Sequence, residues 1–189
     1  MALRAGRAAD EAAIREVHQD AFGPVEGPVV ADLALALLHD PSARPLTSLV
    51  ACRAAELIGH VLFTRVRIEG QTSGQTSGPA RSTVASILAP LAVRPGLQRQ
   101  GIGSRLVRRG LAVLAAEGCG LVFVLGHPGF YPRFGFRPAA ERGFLAPYPI
   151  APEQAEAWMV LALCDGVVGA VAGSVVCADC LRQPQHWSP

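Results

Sequence analysis

Lysine is absent from this 189-residue chain, so all 17 of its basic residues are arginine. That excludes a P-loop, whose G-x-x-x-x-G-K-[ST] pattern sets a lysine on the phosphates. Charge of either sign is scarce. Only 17% of residues are charged and the formal net charge is +2, which excludes a disordered polyelectrolyte and a nucleic-acid-binding tail. A basic stretch followed by an apolar run is missing from the N-terminus, where Arg4, Arg7, Asp10 and Glu11 interrupt any such run; export is therefore not expected. The uncharged segment from Gly166 to Ala178 is too short to span a bilayer, reads instead as buried strands, and gives no membrane partner. Cysteine is present as an odd set of five, Cys52, Cys119, Cys164, Cys177 and Cys180, without a disulfide framework, and this predicts a reducing cytoplasm. Cys177-x-x-Cys180 lacks a second ligand pair, so the two are read as ordinary thiols and no metal is expected.

Half of the residues are apolar, enough for one domain with a substantial core. Residues 3–5 read as a short strand and about 8–22 as a helix begun by Asp10 and Glu11. Gly23-Pro24 and Gly27-Pro28 are expected to break it, leaving Glu26 on a loop before a second helix from about 29 to 39. Residues 48–54 and 57–68 read as strands joined by a tight turn. GQTSGQTSG, residues 70–78, is a four-residue unit written twice and reads as a loop extension. A strand over 83–93 precedes a helix over about 102–117, which Gly118 ends. Ile102, Leu106, Leu111, Val113 and Leu114 share one side of that helix, and Arg105, Arg108 and Arg109 the other. The wholly apolar run 121–125 suits a strand buried on both faces. After it come a turn at Gly126-His127-Pro128-Gly129, a brief helix near 130–134, a strand over 157–164, and a hairpin turned at Asp165-Gly166. This order gives an α/β (α+β mixed) domain over residues 1–165, with 166–189 as a C-terminal strand or hairpin extension packed on it.

The segment that carries chemistry is LAPLAVRPGLQRQGIGSRLVRRG, residues 88–110. A β-rich run breaks at Pro95-Gly96, and Gln98-x-x-Gly101-x-Gly103 opens a helix. The first N–H groups of a helix lack intrahelical partners and the macrodipole adds partial positive charge, so an anion binds there without a charged side chain. Gly101 and Gly103 let a pyrophosphate approach the main chain, and Arg99 and Arg105 add charge at the mouth. Arg94, Arg99, Arg105, Arg108 and Arg109 fall in a stretch without an acid, a local field suited to a polyanion. A Rossmann fingerprint fits poorly, because Leu106 stands where its third glycine belongs.

The spacing Q/R-x-x-G-x-G/A after a strand ending in L-x-V-x-P resembles the acetyl-CoA signature of the GCN5-related N-acetyltransferase superfamily. VLGHPGFYPRFGFRPA, residues 124–139, resembles the second half of that fold in its bacterial YhbS-like branch. The two matches cover roughly residues 88–139, with looser agreement over about 3–164. The resemblance implies a central mixed, mostly antiparallel sheet with a splayed fourth strand and helices on both faces. It also implies that the backbone of Leu91, Ala92 and Val93 holds the pantetheine, with a Leu91 amide to the thioester carbonyl, and that Gln98, Arg99, Gln100, Gly101, Ile102, Gly103 and Ser104 hold the pyrophosphate.

Transfer of an acyl group from a thioester to an amine needs an oriented amine, a polarised carbonyl, a proton acceptor and a donor to the departing thiolate. Tyr131, protonated at neutral pH, matches the tyrosine that serves as general acid in many relatives; a structural tyrosine capping a buried carbonyl is the other reading. His127 is placed to bond the pantetheine or relay a proton, or else is a half-solvated turn histidine. Glu26 is a candidate base or a solvated loop glutamate, which leaves the base unassigned. The arginine face on the helix reads as a solvated surface with no DNA-reading motif, so no nucleic acid partner is expected. The expected activity is direct acetyl transfer from acetyl-CoA to a primary amine of a small molecule or peptide, with a homodimer left open. The alternative is a non-catalytic acyl-CoA-binding regulator on the same scaffold.

Overall fold

The computed structural model describes residues 1–70 and 83–187; all but Gly70 of the doubled GQTSGQTSG run lies outside them. Strands β1 (Ala2–Ala5), β2 (Leu46–Arg53), β3 (Glu56–Glu69) and β4 (Ala85–Val93) run antiparallel in that order. Strand β5 (Leu121–Leu125) lies parallel to β4, and β8 (Trp158–Ala162) and the two-residue β6 (Arg137–Pro138) complete the path. Helices α1 (Glu11–His39) and α2 (Ile102–Ala116) cover opposite faces of the sheet. Strand alternation shows this directly. Val50 and Ala92 pack with Ile14 and Val17 of α1, whereas Leu49, Ala51 and Val61 pack with Leu106 and Val107 of α2.

β4 is paired with β3 along nearly its whole length but with β5 only over Ala85, Ser86 and Ile87. Pro90 has no N–H to donate to a ladder, and the register with β3 slips beside it, between Val61 and Phe63. From Leu88 onward β4 and β5 part, so one edge of β4 is open in the middle of the sheet. This is the splayed fourth strand that the resemblance implies.

Helix α1 departs from expectation. Gly23, with φ 74° and ψ −172°, is its one break, and the chain is helical again from Pro24 through His39. Proline is tolerated as a first helical residue because its missing N–H would be unbonded there anyway. Glu26 is therefore not on a loop; it sits in the first turn of the second arm, where the helix dipole favours a carboxylate. By length and composition residues 8–39 are apolar enough to cross a bilayer, yet Ile14, Val17, Ala31, Ala34 and Leu37 are buried in the core.

The C-terminus also differs. No hairpin forms at Asp165-Gly166, and most of 166–172 is at least partly exposed rather than buried strand. Instead β9 (Gly173–Val176) pairs with the far end of β3 and with β7 (Phe144–Leu145). The segment after it returns to the main core, where Trp187 meets Trp158 edge to face at 5.7 Å and donates to the Leu181 carbonyl at 2.9 Å. Cys177 is buried there, its thiol pushed up to about 12 by burial. Among the described residues no group of three potential ligands gathers around the Cys177/Cys180 pair.

Candidate active site

The loop between β4 and α2 is shaped by its own side chains. Gln98 donates from Nε2 to the Val93 carbonyl at 3.1 Å, and Gln100 to the Gly96 carbonyl at 3.3 Å. Two left-handed residues, Arg99 (φ 60°) and Gly101 (φ 80°), turn the chain into the helix. The first helical bond runs from the Arg105 N–H to the Gly101 carbonyl at 3.0 Å. Among the described residues, the N–H groups from Arg99 to Ser104 thus have no main-chain partner, and they surround the positive end of α2. Gly103 has room for a methyl on the protein side, its nearest would-be contact being Phe130 at 3.6 Å.

Arg94 does not belong to the free positive field. Its guanidinium is paired with Asp20, with Glu56 at 3.1 Å and with Glu16 at 3.4 Å, and Nε donates to the Leu57 carbonyl. The acids that neutralise it come from α1 and β3, distant in sequence and so invisible in a local charge count. Arg99, Arg105, Arg108 and Arg109 are exposed; Arg108 lies over the Phe134 ring at 5.4 Å.

The Arg94 N–H donates to the Ile58 carbonyl, and this fixes which residues of β4 face the open edge. Alternation along the strand turns Ala92 toward β3 and directs the main chains of Leu91 and Val93 away from it. Ala92 therefore differs from its sequence assignment: its main chain points into the β3 ladder and its side chain, 2% exposed, is buried beneath α1. The Val93 carbonyl is already engaged by Gln98.

At the open edge lies a cavity of about 740 Å³, whose lining includes Glu26, Leu91, His127 and Tyr131. Tyr131 opens a one-turn 3-10 helix after β5, its ring edge-on to Phe130 at 5.0 Å and to Phe136 at 5.7 Å. A Cβ on Gly126 would fall 2.3 Å from that ring, so the glycine of the GHP turn is the space in which Tyr131 packs. Burial pushes the phenol above its usual pKa. The Tyr131 hydroxyl makes no hydrogen bond among the described residues, so it does not cap a carbonyl. His127 is exposed, and its Nδ1 accepts from the Gly129 N–H at 3.0 Å. The other ring nitrogen is then the protonated one. Glu26 is exposed at the cavity mouth.

Sequence reasoning missed the wall opposite the motif. Leu181, Gln185, His186 and Trp187 line the cavity, and no local pattern marks them, because long-range packing of Trp187 brings them there. It also missed a fully buried pair under the first arm of α1: His18 Nε2 and His60 Nδ1 are 2.9 Å apart, and His60 Nε2 is 3.0 Å from Ser48 Oγ. The His18 Nδ1 atom has no hydrogen-bond partner among the described residues. An unpaired lone pair costs less than an unpaired N–H, so His18 donates to His60 and His60 to Ser48.

A sheet split beside a helix that starts with free N–H groups offers a site for an extended ligand that carries an anionic group. The profile described as acetyltransferase (GNAT) domain matches residues 46–138. The uncharacterized N-acetyltransferase YjhQ of Escherichia coli K12 is 43% identical over 171 residues, covering 90% of this chain and 88% of YjhQ. The crystal structure of YhbS from Escherichia coli in complex with CoA superposes with a TM-score of 0.80 at 27% identity, covering 96% of this chain and 92% of that one. A GNAT family acetyltransferase from Brucella melitensis in complex with acetyl-CoA gives 0.70 at 27% identity, with 95% and 97% coverage. The chain belongs to the GNAT family of acetyltransferases. YjhQ and YhbS, to which it is similar, are both named as N-acetyltransferases.

Proposed function

We propose that this enzyme transfers an acetyl group from acetyl-CoA directly to a primary amine of a small molecule or peptide. The observation that carries this reading is the meeting, at the open edge of β4, of the Leu91 main chain, Tyr131, His127 and Glu26 in one cavity, beside a helix start whose six N–H groups have no main-chain partner among the described residues. Both relatives solved with CoA or acetyl-CoA share this fold. The residues fit the cosubstrate: 99–104 would hold its pyrophosphate, the β4 edge its pantetheine. Bound there, acetyl-CoA supplies an activated acyl group and a thiol leaving group.

The rest falls to the protein. The Leu91 N–H polarises the acyl carbonyl, worth more in a cavity than in water. Glu26, directly or through water, receives a proton from the amine as the new C–N bond forms. Tyr131 holds a hydrogen bond to the sulfur as the C–S bond breaks and CoA leaves as the thiolate, which takes a proton from water while Glu26 returns the amine's proton to it. Because burial strengthens the hold of Tyr131 on its proton, the phenol is always in its donor form; being more basic than a thiolate, it lends that proton rather than giving it up. His127, with its outer nitrogen protonated, bonds the pantetheine. We place the enzyme in the cytoplasm, where its five free thiols stay reduced.

Acetyl-CoA should raise the melting temperature by several degrees. Gly103→Ala fits the protein side, so it should leave the unliganded melting temperature intact while weakening acetyl-CoA binding about tenfold through the methyl set against the pyrophosphate. An unaltered shift in the variant, or no shift with the parent protein, sinks the cofactor loop as read.

A further inference from the structure

The cavity extends beyond the part that the cosubstrate accounts for. The thioester end is formed by β4, the end of β5 and Tyr131. The remainder is walled by α1 on either side of Gly23 and by the C-terminal segment, and its composition is lopsided. From α1 come Phe22, Val25, Val29 and Leu33; from the C-terminal segment come Leu181 and Trp187. Three of these are exposed to an unusual degree for large apolar side chains on a helix, Phe22 by 37%, Val29 by 45% and Val25 by 84%, and although the Phe22 ring stacks on His18, together they leave an apolar face open to the cavity.

The charge of this half is equally specific. Glu26 is the one acid among the described residues lining the cavity, and no arginine lines it. Gln185 is neutral, and burial lowers the pKa of His186, which keeps it uncharged. A site that offers one carboxylate and otherwise apolar walls accommodates one ammonium group on an apolar body. A second cation would find no partner, and a carboxylate on the ligand would face Glu26 without a compensating charge.

We infer that the acceptor is an apolar monoamine, an alkylamine or arylalkylamine, whose ammonium is received by Glu26 and gives up one proton to water there before its lone pair attacks, and whose body lies against Val29, Phe22 and Trp187. This rests on the transferase reading above and narrows it to a substrate class. It excludes polyamines, polycationic sugars and amino acids as preferred acceptors.

Two measurements on the full chain test it separately from that reading. The first is kcat/KM for CoA release from acetyl-CoA with hexylamine, 2-phenylethylamine, spermidine and glycine. The expected result is a preference of at least tenfold for the first two, lost in Val29→Asp through KM while the acetyl-CoA melting shift persists. A preference for spermidine or glycine, or an unchanged ranking in Val29→Asp, overturns the inference. The second is tryptophan fluorescence of the CoA-saturated protein, since Trp187 lines the cavity and Trp158 does not. Hexylamine should alter it saturably and spermidine should not. Saturable binding of hexylamine without product upholds the ligand class and removes the transfer reading. Absence of both binding and product overturns the two together.

Discussion

The two walls of the cavity are built differently. The motif wall, from Leu91 through α2 to Tyr131, is set by contacts between residues within about forty positions of one another: Gln98 to Val93, Gly103 near Phe130, Gly126 under Tyr131. The opposing wall joins α1 to residues 181–187, and each part is held in place by something remote. His18 reaches His60, 42 positions on, and the Asp179 and Cys180 N–H groups donate to Ser42 and Asp40, 137 and 140 positions back. One wall is thus written into a single stretch of sequence, and the other is assembled from segments that the sheet brings together.

The largest expected effect breaks the comparison from below, by loosening the remote wall while the motif wall is untouched. Burial lowers His18 to about 4 and His60 well below its ordinary value, so both are neutral when folded. In the unfolded chain each titrates near 6.5. Between those values the unfolded state binds more protons, so stability is full above about 6.5 and falls as pH drops toward 4. His18 alone accounts for a loss on the order of 3 kcal/mol, with His60 adding to it. Urea unfolding at pH 7 and pH 4.5 measures this, and replacement of both histidines by leucine should flatten the dependence. An equally steep loss in the double variant would show that other groups govern it.

Tyr131→Phe acts on the motif wall alone. The ring keeps its contacts with Phe130 and Phe136, and only the hydroxyl is lost. The expected result is a fall in kcat of about 10²-fold with acetyl-CoA affinity preserved. Full turnover across pH would remove the residue from the chemistry and return it to packing.

This contrast also explains what could be read from the chain. The loop, the helix of 102–116 and the short buried strand of 121–125 are legible in the residues, because a strand-loop-helix anion site acts on its neighbours; the splay of β4 is legible only through the family resemblance. Glu26 was legible as a residue but misplaced: two Gly-Pro pairs look like a long break, whereas a helix restarts readily with proline at its head, so only Gly23 interrupts α1. Gln185 and His186 left no local trace. Neither did the true state of Arg94, whose three acidic partners lie 38 to 78 positions away.

Arg94 is the bond between the two walls, and its removal has the smallest effect and sharpens the comparison most. It follows β4 directly, begins the cofactor loop, and ties that loop to Glu16 and Asp20 on α1 and to Glu56 on β3. The acids are 47% to 63% exposed, so water takes the place of the guanidinium when it is gone, and Arg94→Ala should cost only about 1 kcal/mol. In a domain of this size that is a melting shift of roughly 2–4 °C, and high salt should narrow the gap between variant and parent. The consequence for function is directional. Gln98 still holds the loop to Val93, so KM for acetyl-CoA should hardly move, while the freed arm of α1 raises KM for the amine. Steady-state kinetics with each substrate varied in turn reads the two separately, and a larger rise in KM for acetyl-CoA would mean that the motif wall depends on its neighbour after all.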